Sequence, residues 1–131
     1  ELQEVHALTD VTGFGLLGHL LEIARGSGIA AAIEFDALPL LPTALELAQE
    51  GYATGASDRN WAGYGASVAL PADFPGWKGK LLTDPQTSGG LLVACAPEAV
   101  PDVIRIFAEH GFCRATVIGR MVAGAPAVRV T

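Results

Sequence analysis

Basic side chains are scarce in this sequence: eight Lys and Arg stand against fourteen Asp and Glu, a formal net charge of −6. Duplex binding draws most of its affinity from cations neutralising phosphates, so no nucleic-acid partner is expected, and a phosphate ligand would need a cation from elsewhere. Cysteine is equally sparse. Cys95 lies in an apolar run and Cys113 follows a helix end, and two cysteines in a non-secreted chain are expected to be free thiols rather than a disulfide framework. No apolar run approaches the ~20 residues needed to cross a bilayer, and Glu1-Leu2-Gln3-Glu4 lacks a basic signal-peptide head. A soluble, cytoplasmic protein with no membrane partner is the expectation. A nucleophile constellation is also missing: neither cysteine has a histidine in a suggestive local pattern, and there is no Ser-His-Asp signature. The sequence does not begin with methionine and opens partway into what reads as an element, so a preceding segment is expected.

What is present is enough for one core. Half of the 131 residues are apolar and only 17% are charged, which fits a single globular domain without disulfide or metal staples.

From Phe14 to Arg25 the residues Leu17, Leu20, Leu21 and Ala24 fall at helical spacing, with Glu22 and Arg25 on the other face and Gly26-Ser27-Gly28 as the stop. Ile29 to Phe35 reads as a buried strand. Asp36, Pro39 and Pro42 then turn the chain into a short helix around Thr43 to Glu50, ended by Gly51. Residues 51 to 65 are rich in glycine and aromatics without any period and read as a long loop. Leu91 to Ala94 reads as a strand, and Pro97 opens a helix whose Val100, Val103, Ile104, Phe107 and Ala108 mark one buried face up to Gly111. Ala115 to Val122 and Ala127 to Val130 read as two strands joined in a hairpin by Ala123-Gly124-Ala125-Pro126. The expected fold class is therefore α/β (α+β): a mixed β-sheet layered with helices, with a β-α-β-β C-terminal part.

Gly13-Phe14-Gly15-Leu16-Leu17-Gly18 matches the dinucleotide fingerprint G-x-G-x-x-G, with a helix behind it and Glu34 or Asp36 about 20 residues on. A Rossmann-type fragment is thus the competing reading. It is disfavoured because Thr9-Asp10-Val11-Thr12 places a carboxylate just upstream, where a pyrophosphate would be repelled, and because the chain is too short for two mononucleotide halves.

Two segments combine hydroxyl residues, glycine and aspartate: Thr9-Asp10-Val11-Thr12-Gly13-Phe14-Gly15 and Thr83-Asp84-Pro85-Gln86-Thr87-Ser88-Gly89-Gly90. Glycines at the start of an element let backbone N–H groups approach an anion closely. A carboxylate beside such a turn suits magnesium, which binds through one or two carboxylates plus phosphate oxygens. Asp10 is the candidate metal ligand; Thr9, Thr12, Gly13, Gly15, Thr87, Ser88, Gly89 and Gly90 are the candidates for lying near phosphate. Structural readings stand beside these. Thr9 or Asp10 would cap the first helix, Asp84-Pro85 would be a turn, and Gly89-Gly90 would let the strand pass close to a neighbour. His19, mid-helix without a metal partner at i+4, reads as a core or boundary histidine, and His6 carries no signal. Tyr52, Trp61 and Tyr64 suit either stacking on a base or pinning their loop to the core, and Arg59-Asn60 is the polar pair there suited to an anion or amide contact.

Taken together, His6-Ala7-Leu8-Thr9-Asp10-Val11-Thr12-Gly13-Phe14-Gly15-Leu16-Leu17-Gly18-His19, then Arg59-Asn60-Trp61-Ala62-Gly63-Tyr64-Gly65, then Asp84-Pro85-Gln86-Thr87-Ser88-Gly89-Gly90-Leu91-Leu92-Val93-Ala94 resemble the selenophosphate synthetases, in order and spacing, across essentially the whole chain. The aminoimidazole ribonucleotide synthetase group, wider relatives in the same superfamily, shares only the general flavour of the first motif. One departure is Gly55-Ala56-Ser57, where the family usually shows Gly-Gly-Thr. The resemblance implies the C-terminal domain of a two-domain enzyme that converts selenide, ATP and water into selenophosphate, AMP and phosphate. It further implies that the nucleophilic cysteine or selenocysteine and a nearby lysine belong to an N-terminal domain absent here, which holds most of the nucleotide and metal site and builds a homodimer. The C-terminal domain would cover the nucleotide and supply one Mg2+ carboxylate, corresponding to Asp10. Neither Cys95 nor Cys113 matches the family's nucleophile, so no catalytic residue is expected in this chain, and the chain alone is expected to be inactive.

Overall fold

Leu17, Leu20, Leu21 and Ala24 form the helix their spacing requires: α1 runs Gly15–Ser27 in the computed structural model, which describes residues 4–131. All four are buried, and burying Leu17 and Leu21 alone contributes about 2 to 3 kcal/mol each by area. Gly28 stops the helix with φ 68°, a left-handed conformation that glycine adopts without steric cost, and its N–H caps the carbonyls of Ala24 and Arg25.

The chain follows the order β1 (Val5–Asp10), α1, β2 (Ala30–Ile33), α2 (Pro42–Gln49), α3 (Gly55–Tyr64), β3 (Val68–Ala69), α4 (Gly76–Thr83), β4 (Leu91–Cys95), α5 (Val100–Glu109), β5 (Gly119–Val122) and β6 (Val128–Val130). Among the described residues the strands fall into two sheets: an antiparallel pair β1-β4, and a mixed sheet in the order β3-β6-β2-β5. Helix α1 packs against β2 and β6 of the larger sheet, against β1, and against α3 and α4. The core lies around it: Val11, Leu17, Leu20, Leu21, Ile23, Ala31, Ile33, Phe35, Leu82, Leu92, Val128 and Val130 form one cluster. The mixed α/β class and the β-α-β-β order of the C-terminal part agree with the sequence reading.

Several expectations do not survive. Residues 51 to 65 are mostly not a loop: α3 covers Gly55–Tyr64 and a 3-10 turn continues over Gly65–Ser67. Its two internal polar anchors, Ser57 and Asn60, bond to other elements, and this tertiary support outweighs the weak helix propensity of a glycine-rich stretch. The expected hairpin does not form either. β5 pairs antiparallel with β2 and β6 pairs parallel with it, so β2 lies between the two strands that the short Ala123–Pro126 connection suggested would pair. The parallel pairing brings Val128 and Val130 into full burial against α1, which an isolated hairpin would not achieve. The strand expected over Ala115 to Val122 shortens to Gly119–Val122. Finally, no residue of α5 is fully buried; Phe107 is covered edge-on by Phe112 from the following turn, at 6.4 Å between ring centroids, rather than by the core.

Candidate functional site

Two glycine-rich motifs, some 75 residues apart in sequence, meet at the end of the β1-β4 pair. The ladder sets Thr9 opposite Leu92 and Asp10 opposite Leu91. Just beyond it, the Val11 N–H donates to the Gly90 carbonyl at 2.9 Å, and the Gln86 N–H donates to the Thr12 carbonyl at 3.0 Å. The same Thr12 carbonyl accepts from the Gly15 N–H at 3.1 Å, closing the turn into α1. Gly89 is required by this approach: a Cβ there would overlap the Val11 carbonyl oxygen and lie 2.9 Å from its carbon. Gly15 is required twice over, by φ 68° and by a Cβ position only 2.7 Å from the Thr83 carbonyl carbon. The reading of Gly89 as a close-passage glycine therefore holds, whereas Gly13 and Gly90 face open space and have no such packing reason.

Helix α3 fastens this junction from the side. The Asn60 amide donates to the carbonyls of Gly13 and Thr83, both at 2.9 Å, so its N–H groups are already engaged by the two motifs. Ser57 and Thr54 donate their hydroxyls to one carboxylate oxygen of Asp84, each at 3.3 Å. Asp58 pairs with Lys80 on α4. The Tyr64 hydroxyl donates to the Phe14 carbonyl at 2.5 Å. Burial pushes the Tyr64 phenol up to about 12, against the smaller opposing pull of the nearby Gly18 backbone. Gly18 has no room for a side chain beneath Phe14 and the Tyr64 ring. Tyr64 thus pins the junction, the second of the two roles its sequence position allowed. Arg59, Thr87 and Ser88 are exposed and make no side-chain hydrogen bond among the described residues.

Asp10 ends β1 and is exposed; its carboxylate has no hydrogen bond or ion pair among the described residues. It does not cap α1. The N-cap is Phe14, and no side chain bonds to the first turn, so the capping reading of Thr9 or Asp10 is overturned; the Thr9 hydroxyl instead donates to the Asp10 carbonyl at 3.2 Å. The described residues hold no group of three or more His, Cys, Asp or Glu able to bind a metal between them. One free carboxylate beside a glycine turn fits a magnesium ion that takes its other ligands from phosphate oxygens and water, and does not fit a self-contained metal cage. Neither of two clefts is lined by Asp10: one of about 380 Å³ lies beside Trp77 and Lys78, away from both glycine motifs, and one of about 350 Å³ beside Tyr52 and Lys80 reaches the second motif only at Asp84, which bonds Thr54 in its wall.

A contact that the sequence reading passed over lies directly behind the turn. The Thr12 hydroxyl is 3.1 Å from Nε2 of His19, whose Nδ1 is 2.8 Å from a Glu22 carboxylate oxygen. His19 is 7% exposed, which bears out a boundary or core position. The signal was available: Glu22 stands three residues after His19, on the same helical face, and that spacing lets side chains meet.

The dinucleotide fingerprint lacks its supporting topology. A Rossmann unit needs parallel strands on both sides of the glycine helix in one sheet, but β1 runs antiparallel to β4 and β2 belongs to the other sheet. A family model described as AIR synthase related protein, C-terminal domain, matches residues 1–131. The chain belongs to that family. Among its relatives, the selenide, water dikinase of Paraburkholderia xenovorans (strain LB400) is 57% identical over 129 residues, covering 98% of this chain and 36% of that protein. The protein of the same name from Burkholderia pseudomallei (strain K96243) is 59% identical over 130 residues, covering 99% of this chain and 37% of the relative. That of Rhizobium meliloti (strain 1021) is 53% identical over 127 residues, covering 97% and 36%. The chain therefore spans little more than a third of the length of these curated relatives. The crystal structure of hydrogenase maturation protein HypE shares the fold, with a TM-score of 0.58 at 18% identity over 98% of this chain and 34% of that one.

Proposed function

We propose that this chain is the C-terminal domain of a two-domain selenide, water dikinase, cytoplasmic and homodimeric through its N-terminal domain, which makes selenophosphate, AMP and phosphate from selenide, ATP and water. The observation that carries the proposal is sequence identity above half with proteins of that name over nearly the whole chain. The meeting of the two glycine motifs beside an unpartnered Asp10 supports it. In this reading Asp10 gives one carboxylate to a magnesium ion shared with ATP phosphates. Bound magnesium supplies neutralisation of the charge that develops as a phosphoryl group transfers. The chain's own part is to hold that carboxylate at the rim of a rigid turn and to cover the nucleotide. Arg59 on α3 and the exposed Thr87 and Ser88 are the side chains left to meet an anion, with backbone N–H groups of the Gly13–Gly15 and Gly89–Gly90 segments beside them. Nothing here acts as nucleophile, which belongs to the N-terminal domain.

The test compares the chain with its full-length parent. The parent should form AMP only when selenide is present. The chain alone should show no selenide-dependent ATP turnover and should bind Mg-ATP with a dissociation constant of about a millimolar or weaker. Micromolar Mg-ATP binding by the isolated chain, or a parent without selenide-dependent AMP formation, would overturn the assignment. Tight NAD or FAD binding in the same calorimeter would restore the dinucleotide reading.

A further inference from the structure

We infer that His19 is a positioning residue: with Glu22 it fixes the Thr12 hydroxyl as a hydrogen-bond acceptor toward the ligand, so that Thr12 holds a donor such as a metal-bound water and not a phosphate oxygen. This rests on the proposed dikinase reading for the identity of the ligand, whereas the hydrogen-bond polarity rests on this chain's own contacts with His19 in its neutral form. Both imidazole nitrogens have a partner, Nε2 the Thr12 hydroxyl at 3.1 Å and Nδ1 the Glu22 carboxylate at 2.8 Å. A carboxylate can only accept, so Nδ1 carries the proton, and in the neutral ring, the form of an ordinary imidazole at about pH 8, Nε2 presents a bare lone pair. The Thr12 hydroxyl must then donate inward. Its remaining lone pairs accept, and a phosphate oxygen, itself only an acceptor, would find no proton there.

The surroundings hold this arrangement. His19 is buried, the Phe14 ring lies 5.7 Å away by centroid and tilted 50° over it, and the Thr12 carbonyl is anchored by the Gly15 and Gln86 N–H groups. Thr12 thus has a fixed backbone, a fixed hydroxyl direction and a place two residues from Asp10. An acceptor hydroxyl two residues from the proposed metal carboxylate is suited to orienting the ion's water shell, as outer-shell partners of metal sites do.

Two measurements test the inference. In the nitrogen-15-labelled wild-type chain at about pH 8, where an ordinary imidazole is neutral, long-range proton–nitrogen correlations should show His19 protonated at Nδ1 and bare at Nε2. A proton on Nε2 overturns the inference, whether as the other tautomer or as imidazolium. In the full-length parent, Thr12→Val and His19→Gln should each raise the magnesium concentration for half-maximal rate by about 10-fold or more, with a smaller change in KM for ATP. The double variant should be no worse than the more affected single variant, and Thr12→Ser should restore the requirement toward wild type. Additive effects, or an unchanged magnesium requirement in folded variants, overturn it. Failure of the dikinase reading is seen separately, in a wild-type parent that forms no AMP from selenide and ATP; the tautomer measurement decides the hydroxyl polarity in either case.

Discussion

Gly89 and Gly90 are neighbours of one residue type, yet the structure assigns them opposite sensitivities to alanine. A methyl group at Gly89 overlaps the Val11 carbonyl oxygen and lies 2.9 Å from its carbon, whereas nothing stands within 4 Å of the same group at Gly90. Backbone cannot rotate aside as a side chain can, so Gly89→Ala must push the two motif segments apart. Overpacking of this kind costs about 1 to 3 kcal/mol. The separation also weakens the bonds from Val11 to Gly90 and from Gln86 to Thr12, each worth about 1 kcal/mol net. The expected loss for Gly89→Ala is therefore about 3 kcal/mol, or a fall in Tm of roughly 10 to 15 °C for a domain of this size. Gly90→Ala should remain within about 0.5 kcal/mol of wild type. Paired urea and thermal unfolding of the two variants gives the comparison directly. Equal stabilities, or a more damaged Gly90 variant, would refute the close approach of the two motifs on which the site description depends.

Removing the α3 tether by Asn60→Ala strands the Gly13 and Thr83 carbonyls and should cost about 1 to 3 kcal/mol in the same unfolding assay; an unchanged midpoint would show the tether to be idle. Tyr64 ties stability to alkaline pH. Its folded pKa of about 12 lies above the ordinary value of 10.0, so the folded state holds the phenol proton more tightly, and that stabilisation is complete below pH 10 and lost as pH rises through 12. A pH series of unfolding midpoints should show the loss in wild type and a smaller one in Tyr64→Phe; identical profiles would contradict it. Both cysteines are free, Cys113 exposed and Cys95 partly covered, so a thiol reagent should label Cys113 first; faster labelling of Cys95 would contradict its place in β4.

The readability of the fold tracked where local pattern and tertiary demand agree. α1 was legible because its apolar stripe is also its buried stripe, and Gly28 ends it as the sequence suggests. α3 was not, since Gly55 to Tyr64 contains two glycines and no apolar period, and its order comes from Ser57 and Asn60 bonding to residues more than 20 positions away. Proximity in sequence misled at β5 and β6, where a short connection suggested direct pairing but β2 takes the place between them. Within the site, composition pointed to both glycine motifs but not to which glycines are structurally forced. The distinction between Gly89 and Gly90 rests on a carbonyl from the other motif, nearly 80 residues upstream. The contacts of His19 are less legible for a related reason: its partners are a hydroxyl seven residues upstream and a carboxylate three residues downstream, neither of which forms a metal-ligand spacing with it.

The role of Asp10 is open to one direct measurement, the turnover of an Asp10→Asn full-length parent at low magnesium. Because Asp10 caps no helix and its carboxylate has no partner among the described residues, the substitution should leave the domain's stability within a few tenths of a kcal/mol. A neutral amide is a poor ligand for a hard dication, so the account predicts a folded enzyme whose selenide-dependent AMP formation falls by about 100-fold or more, with part of the loss recovered as magnesium is raised. A folded Asp10→Asn enzyme with near wild-type turnover at low magnesium would contradict the assignment of this carboxylate to the metal.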